Sequence, residues 1–316
     1  MGKILNLFMM RYLSFGIIAA CFVIIVGCSR IKEAPSTSFD SATYKLEIEK
    51  WRVNRVEELK GENGWLNLAG LFWLKEGINS FGSGDNNDII FPKGKIPERA
   101  GFFLVNQGTV SISVTPKVAI TQSGKPITNG VIFSPDSIAN PTLEYGSLKW
   151  FIIQRDKAVG VRLRDLESEG IQQFTGIDNY VTNLNWRIEA TVQHTDEARL
   201  IDITNVLGQT IPQASPAMLV FRIGEKEYRL DALDGGKDEF FVIFGDATNG
   251  KETYPSGRYV YVKRPDKEHR TILDFNKAYN PPCAFTPFAT CLLPPKQNVL
   301  ELSINAGEKK YSGADH

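Results

Sequence analysis

From Gly61 onward the chain is a succession of short runs rich in Val, Ile, Phe and Tyr, separated by Gly, Asn, Asp and Pro. Such runs are typical of antiparallel β-structure, because β-branched and aromatic side chains suit a pleated, half-buried surface and the separating residues suit turns. Apolar residues alternate with Ser in residues 110–114, which predicts a strand with one buried face. Residues 148–154 and 159–164 flank a short turn, which predicts a hairpin. The sequence therefore predicts an all-β, mainly antiparallel fold.

A second series of strands is predicted in the later part of the chain, and no internal repeat of fixed period relates it to the first. We therefore predict two β domains, residues 61–168, a β-sandwich, and residues 180–312. The predicted strands of the second series are residues 186–192, 200–206, 218–223, 228–233, 240–244 and 258–263.

Residues 43–60 precede the strands and mix apolar with charged side chains at near-helical spacing, which predicts one amphipathic N-terminal helix. We interpret its charged side chains as a solvated face supported by pairs three and four residues apart, and assign no function to them. The apolar positions are Tyr44, Leu46, Ile48, Trp51, Val53, Val56 and Leu59. The charged positions are Glu47, Glu49, Lys50, Arg52 and Arg55.

The first 27 residues have the profile of an export signal, because Lys3 and Arg11 supply positive charge and the following stretch is almost wholly apolar. That stretch is shorter than the roughly 20 residues a membrane-spanning helix needs, and it ends at a Gly-Cys pair. We interpret residues 1–27 as a lipoprotein signal peptide and Cys28 as the lipidation site, with fatty acyl groups such as palmitate. The alternative is an uncleaved membrane anchor.

Residues 28–42 are rich in Ser, Thr and Pro and suit a flexible tether. Ser29, rather than Asp, follows the cysteine, so an inner-membrane retention signal is absent. The expected location is the cell envelope, lipid-anchored, with the outer membrane favoured in a cell that has two membranes. The 36 basic and 36 acidic residues balance, and the basic ones are scattered. Nucleic acid is therefore not an expected partner.

Five long, irregular strings distinguish the folded part. They resemble, in the same order, the bacterial domain-of-unknown-function family 1684. The resemblance covers roughly residues 45–311, and it implies no activity because the family has no established one. The strings are GWLNLAGLFWL at 64–74, FGSGDNNDIIFP at 81–92, TYPSGRYVY at 253–261, LDFNKAYNPPCAF at 273–285 and INAGEKKY at 304–311.

The first of the two β domains also resembles a forkhead-associated β-sandwich, through Phe81-Gly82-Ser83 and the turn at residues 87–89. True forkhead-associated domains bind phosphothreonine with an Arg beside the first glycine and a later Ser-x-x-His. Ser83 stands where that Arg would be, and no histidine lies near residues 96–99. We therefore expect a scaffold rather than a phosphate-binding domain.

The later domain carries the densest group of polar and conformationally special residues, next to a Pro-rich segment that begins at Pro281. Rigid loops on β scaffolds commonly display binding groups, so we place the candidate site there. Structural roles compete with this interpretation, because Asp and Asn side chains cap turns. The candidate ligand or active-site residues are Asp246, Tyr254, Arg258, Asp274, Asn276, Tyr279, Asn280 and Lys309.

Cys283 and Cys291 are the thiols that remain once Cys21 is removed with the signal and Cys28 is lipidated. An oxidising exterior favours a disulfide between them. The competing interpretation makes Cys283 a nucleophile assisted by His269 and oriented by Asp274, but its surroundings match no known cysteine-hydrolase signature.

Motifs for metals, nucleotides and serine hydrolases are missing from the sequence, so no cofactor and no metal are predicted. The three histidines have no zinc-ligand spacing. The leading hypothesis is an envelope lipoprotein whose later β domain binds a small ligand or an envelope partner. The alternatives are a hydrolase that uses Asp246, Arg258, Asp274 and Asn280, in which an Asp pair performs acid-base chemistry, and a structural envelope component. The binder predicts a concave aromatic-lined site near Tyr254 and Tyr279.

Overall fold

The structure, a computed structural model, describes residues 40–138 and 140–313, except for the side chains of residues 195–198. The predicted signal peptide, Cys28 and the tether up to residue 39 lie outside the described residues. Across residues 40–138 and 140–313, no helix combines the length and the apolar character needed to cross a membrane.

Helix α1 spans Ser41–Lys60. It begins two residues before the predicted start because Asp40 caps it, with side-chain oxygens that accept from the backbone N–H groups of Ala42 at 3.0 Å and Thr43 at 3.2 Å. These hydrogen bonds, with the Thr43 hydroxyl contributing most, lower the pKa of Asp40. The last residues of the predicted tether therefore form the cap and first turn of the helix.

The buried stripe of α1 differs from the one expected from hydropathy. Leu46 and Val53 are 71% and 57% exposed, whereas Arg55 is buried. Side chains three or four residues apart share a helix face. Which side chains of α1 are buried therefore depends on the polar surface that this face contacts as well as on their hydrophobicity. The buried residues of α1 are Tyr44, Ile48, Arg55 and Leu59.

Two sheets form a β-sandwich after α1. Their strands are β1 Leu68–Trp73, β2 Gly77–Gly82, β3 Ile89–Ile90, β4 Gly101–Asn106, β5 Thr109–Val114, β6 Thr121–Gln122, β7 Lys125–Pro126, β8 Asn129–Phe133, β9 Leu143–Tyr145, β10 Leu148–Arg155 and β11 Ala158–Asp165. One sheet has the order β1-β11-β10-β9-β6-β7 and the other β3-β2-β4-β5-β8. All pairs are antiparallel except β2 with β3.

One hydrophobic core lies between these sheets and is dominated by aromatic rings. Phe81 packs on Phe103 with ring centroids 4.5 Å apart, and Phe91 meets Trp150 edge to face at 5.3 Å. The alternation predicted at residues 110–114 is confirmed in β5, and the predicted hairpin is confirmed in β10 and β11.

The glycine motif that resembles forkhead-associated domains has a packing role. A Cβ on Gly82 would lie 2.3 Å from the carbonyl oxygen of Glu98, so only glycine fits this approach. Ser83 is buried, and its hydroxyl donates to the carbonyl oxygen of Ile96 at 2.6 Å. The position that would carry the phosphate-binding Arg is therefore occupied by Ser83, whose side chain hydrogen-bonds within the protein.

A third sheet of six strands follows. Its strands are β12 Arg187–Thr204, β13 Thr210–Ile223, β14 Lys226–Asp234, β15 Glu239–Phe244, β16 Arg258–Lys263 and β17 Arg270–Asp274. Their order in the sheet is β16-β15-β14-β13-β12-β17. The two end strands lie close together, since the Thr271 hydroxyl in β17 donates at 2.7 Å to the carbonyl oxygen of Lys263 in β16. The sheet is therefore curved towards a barrel.

The sequence prediction for this sheet divided one strand and omitted another. The strands predicted at residues 186–192 and 200–206 fall, apart from residues 186, 205 and 206, in the single strand β12, whose register shifts between His194 and Arg199. Strand β17 was not predicted, because its five residues carry charges at both ends. The remaining short helical segments are α2 Glu169–Gln172 and the 3-10 turns Leu184–Trp186, Phe275–Lys277, Pro282–Ala284 and Lys296–Asn298.

The faces of the third sheet have different environments. Phe240, Val242 and Val260 point into the main core of the sheet, whereas Phe241 and Tyr259 belong to the opposite face. The opposite face is partly covered by α1 and by the segment after β17. The fold class is therefore confirmed: mainly antiparallel β-structure in several sheets, with one substantial N-terminal helix.

Candidate functional site

Asp246 and Arg258 form a fully buried ion pair, with Arg258 Nη2 2.7 Å from Asp246 Oδ2 and both side chains 0% exposed. The other carboxylate oxygen of Asp246 accepts from the backbone N–H of Thr248 at 2.8 Å and from its hydroxyl at 2.5 Å. Arg258 also donates to the carbonyl oxygens of Ile304, at 2.9 Å, and Ala306. The pair therefore fixes the segment around residues 304–306 against β16.

The Asp246–Arg258 pair is fully buried and therefore cannot contact a ligand. The hydrolase arrangement requires Asp246 and Arg258 to reach a substrate, and neither has an exposed side-chain atom. The Asp246 carboxylate and the two Nη groups of Arg258 already hydrogen-bond within the protein, which is the pattern of a structural network.

Asp274 and Asn276 join the third sheet to α1. The Tyr44 hydroxyl lies 2.7 and 2.9 Å from the two carboxylate oxygens of Asp274, and the Asn276 side chain donates to that hydroxyl at 2.9 Å. Asn276 also exchanges hydrogen bonds of 2.9 Å with the backbone of Asn183. Burial, followed by the neighbouring Asp274, raises the pKa of Tyr44.

A second polar network joins α1 to the segment after β17. Arg55 Nε lies 3.1 Å from Glu308 Oε1, and Arg55 Nη2 donates to the carbonyl oxygen of Asn280 at 3.2 Å. The other oxygen of Glu308 accepts from the backbone N–H of Asn280 at 2.7 Å. Burial raises the pKa of Glu308, and the nearby Arg55 opposes this effect. Arg55, interpreted from sequence as part of a solvated face, is thus buried in an ion pair.

The side chains of Tyr254 and Lys309 lie apart from these networks, although the carbonyl oxygen of Lys309 accepts from the Asn280 side chain at 2.7 Å. Tyr254 packs against the cluster that contains Phe285 and Tyr311. The Lys309 ammonium group lies 4.7 Å from the ring centroid of Tyr180 and 3.9 Å from a carboxylate oxygen of Glu252. The eight predicted site residues are therefore distributed over separate environments instead of one cluster.

A cleft of about 970 Å³ lies between α1 and the outward faces of β15, β16 and β17. We call it the α1–sheet cleft. Its volume lies at the upper end of the range typical of small-molecule sites. Six aromatic side chains line it, namely Trp51, Trp65, Phe241, Tyr259, Tyr261 and Tyr279.

Four of these rings form a continuous aromatic group on the sheet. Phe241 meets Tyr259 edge to face at 5.0 Å and Tyr261 at 5.1 Å. Tyr261 and Tyr279 are nearly parallel, with an interplanar angle of 12° and centroids 6.2 Å apart. Tyr261 is 46% exposed. Arg55 lies over the Tyr279 ring at 4.6 Å, so Tyr261 is the ring most open to a ligand.

Charged side chains of both signs surround the aromatic group. The cationic side chains that line the cleft are Arg55, Arg187, Lys263, Arg264, Arg270 and Lys277. The acidic side chains are Glu47, Glu58, Glu239, Asp266 and Asp274. Lys277 and Glu47 pair at 2.6 Å, and this contact lowers the pKa of Glu47.

Of the predicted site residues, Tyr279 and Asp274 line this cleft and Tyr254 does not. Sequence reasoning missed Trp51, Arg55 and Tyr261. The available signal was the spacing of Glu47, Trp51, Arg55 and Glu58, which places an aromatic ring among charges on one helix face. A second signal was the alternation of Tyr259, Tyr261 and Lys263 along β16.

Cys283 and Cys291 form the predicted disulfide, with their Cα atoms 6.1 Å apart. Pro282, the neighbour of Cys283, is part of the cleft wall. The disulfide thus constrains the segment that borders the cleft. In the described part of the chain, no three His, Cys, Asp or Glu residues are grouped as metal ligands.

The family model described as "Protein of unknown function (DUF1684)" matches residues 172–309, a narrower range than the resemblance in sequence. The matched range contains the third sheet, the Asp246–Arg258 pair and the sheet side of the cleft. None of the curated proteins compared gives a significant match.

Three solved structures show limited similarity. An uncharacterized protein of Haloarcula marismortui is 29% identical, with a TM-score of 0.38, and the match covers 46% of this chain and 80% of that one. The forkhead-associated domain of FhaA, solved with the intracellular domain of Rv3910, is 12% identical, with a TM-score of 0.22, over 30% of this chain and 97% of that one. A forkhead-associated domain with phosphothreonine-dependent interactions is 12% identical, with a TM-score of 0.21, over 30% and 92%.

Proposed function

We propose that this protein is a ligand-binding module of the cell envelope that holds a small molecule in the α1–sheet cleft, and that it is anchored to the membrane through lipid on Cys28. The observation that supports binding is the exposed ring of Tyr261, in a cleft of about 970 Å³ that five further aromatic side chains line. Concave sites of this size with aromatic side chains in their walls are typical of small-molecule binding.

The contrast with the polar networks supports a binder over a hydrolase. The carboxylates nearest to an acid-base arrangement are sealed or already hydrogen-bonded to Tyr44 and Thr248. The open cleft instead offers ring faces and paired charges, which bind and orient a ligand without a free nucleophile.

A thermal-shift screen of the full-length chain in detergent micelles against a library of metabolites and envelope fragments tests the binding proposal. A ligand at 100 times its Kd stabilises the folded state by about 2.7 kcal/mol, which raises Tm measurably. We expect a stabilising compound whose effect is lost in Tyr261→Ala and retained in Phe102→Ala. Phe102 is a matched control because it is 38% exposed on the sandwich, away from the cleft.

The proposal of a binding cleft fails if every stabilising compound acts equally on the Tyr261→Ala variant. Anchoring is tested separately by metabolic labelling with a palmitate analogue. Label is expected on the wild-type chain and not on Cys28→Ala, and equal labelling of the two would contradict the lipidation site.

A further inference from the structure

The charges of the α1–sheet cleft are largely neutralised within the protein. Lys277 pairs with Glu47 at 2.6 Å, Arg55 with Glu308 at 3.1 Å, and Arg270 with Asp266 at 3.7 Å. Arg264 pairs with Asp234, outside the cleft lining. Among the described residues, the cleft side chains without an ion pair include Lys263 on the cationic side and Glu58 and Glu239 on the acidic side.

This balance opposes tight binding of a strongly charged ligand. An anion would have to compete with Glu47, Asp266 and Glu308 for cations that are already paired, and a cation would meet the same competition from Lys277 and Arg270. A paired side chain nevertheless keeps unused donor or acceptor positions. Lys has three donors and a carboxylate about four acceptor sites, so each pair at the rim can still bind a neutral hydroxyl group.

The aromatic group supplies the complementary surface. The face of a tyrosine ring is electrostatically negative, so it attracts the weakly positive C–H groups on the face of a saturated ring. Phe241 lies beside the exposed Tyr261 ring, with ring centroids 5.1 Å apart, and extends this surface. Trp51 and Trp65 add further aromatic surface to the cleft lining.

We infer that the α1–sheet cleft binds a neutral carbohydrate, with a sugar ring stacked on Tyr261 and its hydroxyl groups directed to the paired charges at the rim. This inference rests on the proposed binding function and names its ligand class. A sugar combines an apolar ring face with a polar edge whose hydroxyls both donate and accept, which matches the two parts of the cleft.

A flat aromatic ligand fits less well. It would cover the rings but leave the charged rim dehydrated without new hydrogen bonds, which is unfavourable for polar groups. Sugar hydroxyls replace the water they displace with hydrogen bonds to the same side chains, so the rim distinguishes the two ligand classes.

The test is a glycan array that carries neutral, acidic and amino-sugar oligosaccharides, probed with the labelled full-length chain in detergent micelles. We expect binding to neutral oligosaccharides. Calorimetric titration with the neutral oligosaccharide that binds best should show an affinity at least about tenfold weaker for Tyr261→Ala, a change of less than about threefold for Tyr261→Phe, and none for Phe102→Ala. Raising NaCl from 50 to 500 mM should change the wild-type affinity less than about twofold, because a neutral ligand is not screened.

The inference is overturned if the array shows no binding, if only acidic or amino-sugar oligosaccharides bind, or if Tyr261→Ala binds as the wild type does. A strong loss of affinity in salt also overturns it. The thermal-shift screen judges the proposed function independently. If it finds a Tyr261-dependent ligand of another class, the binding function stands and the carbohydrate inference is wrong. If both experiments find no Tyr261-dependent ligand, both are wrong.

Discussion

Asp246–Arg258 and Glu47–Lys277 are carboxylate–cation pairs of nearly the same length, 2.7 and 2.6 Å, in very different surroundings. The first pair is 0% exposed on both sides, whereas Glu47 is 58% and Lys277 28% exposed. A buried charge depends entirely on its partner, while an exposed one is stabilised by water. The same chemical groups therefore form a buried structural network in one region and a solvent-exposed rim in the other.

The largest effect on stability is expected at the buried Asp246–Arg258 pair. Arg258→Met leaves Asp246 buried without its partner and frees the carbonyl oxygens of Ile304 and Ala306, so it should lower the free energy of unfolding by about 3–5 kcal/mol. Urea denaturation followed by circular dichroism measures this loss. The double variant Asp246→Asn with Arg258→Met should lose less than the sum of the two single variants. A loss below about 1 kcal/mol for Arg258→Met would show that burial does not make this pair more important for stability than the exposed Glu47–Lys277 pair.

A smaller effect that depends on pH is expected at Arg55. Arg55→Met should lower the free energy of unfolding by about 2–3 kcal/mol at pH 7, because Glu308 loses its buried partner. Burial already raises the folded-state pKa of Glu308 above the ordinary 4.5, so the folded chain holds the proton more tightly than the unfolded chain. The stabilisation from this proton is complete below about pH 4.5 and is lost as pH rises through the folded-state pKa.

The destabilisation by Arg55→Met should therefore shrink as pH falls from 7 towards 4.5. Urea denaturation at several pH values measures this trend. Glu308→Gln serves as the control, because combining it with Arg55→Met removes the titrating group and with it the change between pH 4.5 and 7. A destabilisation that is constant with pH contradicts the role assigned to Glu308.

The smallest effect on stability is expected at the rim of the cleft. Glu47→Gln removes the pair with Lys277, but water replaces the contact, so the free energy of unfolding should change by no more than about 0.5 kcal/mol. The same urea titration measures it. A loss comparable to that of Arg258→Met would mean that the rim pairs hold the fold together, and the contrast between the two regions would disappear.

Several elements of the fold could be predicted from local sequence patterns. The strands β5, β10 and β11, the helix over residues 43–60 and the Cys283–Cys291 disulfide depend on alternation, helical spacing and the chemistry of two nearby thiols. Strand β12 was divided in the prediction because its register shift interrupts the pattern between His194 and Arg199. Such an irregularity depends on the neighbouring strand and not on the segment itself.

The candidate site depended on long-range contacts, which local patterns do not contain. Residue type suggested that Asp246 and Arg258 could serve a ligand, but their accessibility is decided by the segment around residues 304–306 that covers them. Trp51 became a cleft residue only because α1 packs beside strands far along the chain. Of the eight candidate residues, Tyr279 and Asp274 line the cleft, and their part in binding stays a prediction.

The packing of α1 also constrains the order in which the molecule assembles. Its hydrogen bonds from Tyr44 to Asp274 and from Arg55 to Glu308 span 230 and 253 residues of sequence, with the whole sandwich between them. Contacts across such separations form late, because the loop entropy must be lost before they stabilise anything. We therefore expect this helix, although early in the sequence, to be among the last elements to dock. Since α1 is one wall of the cleft, the cleft would then be completed only when folding is nearly finished.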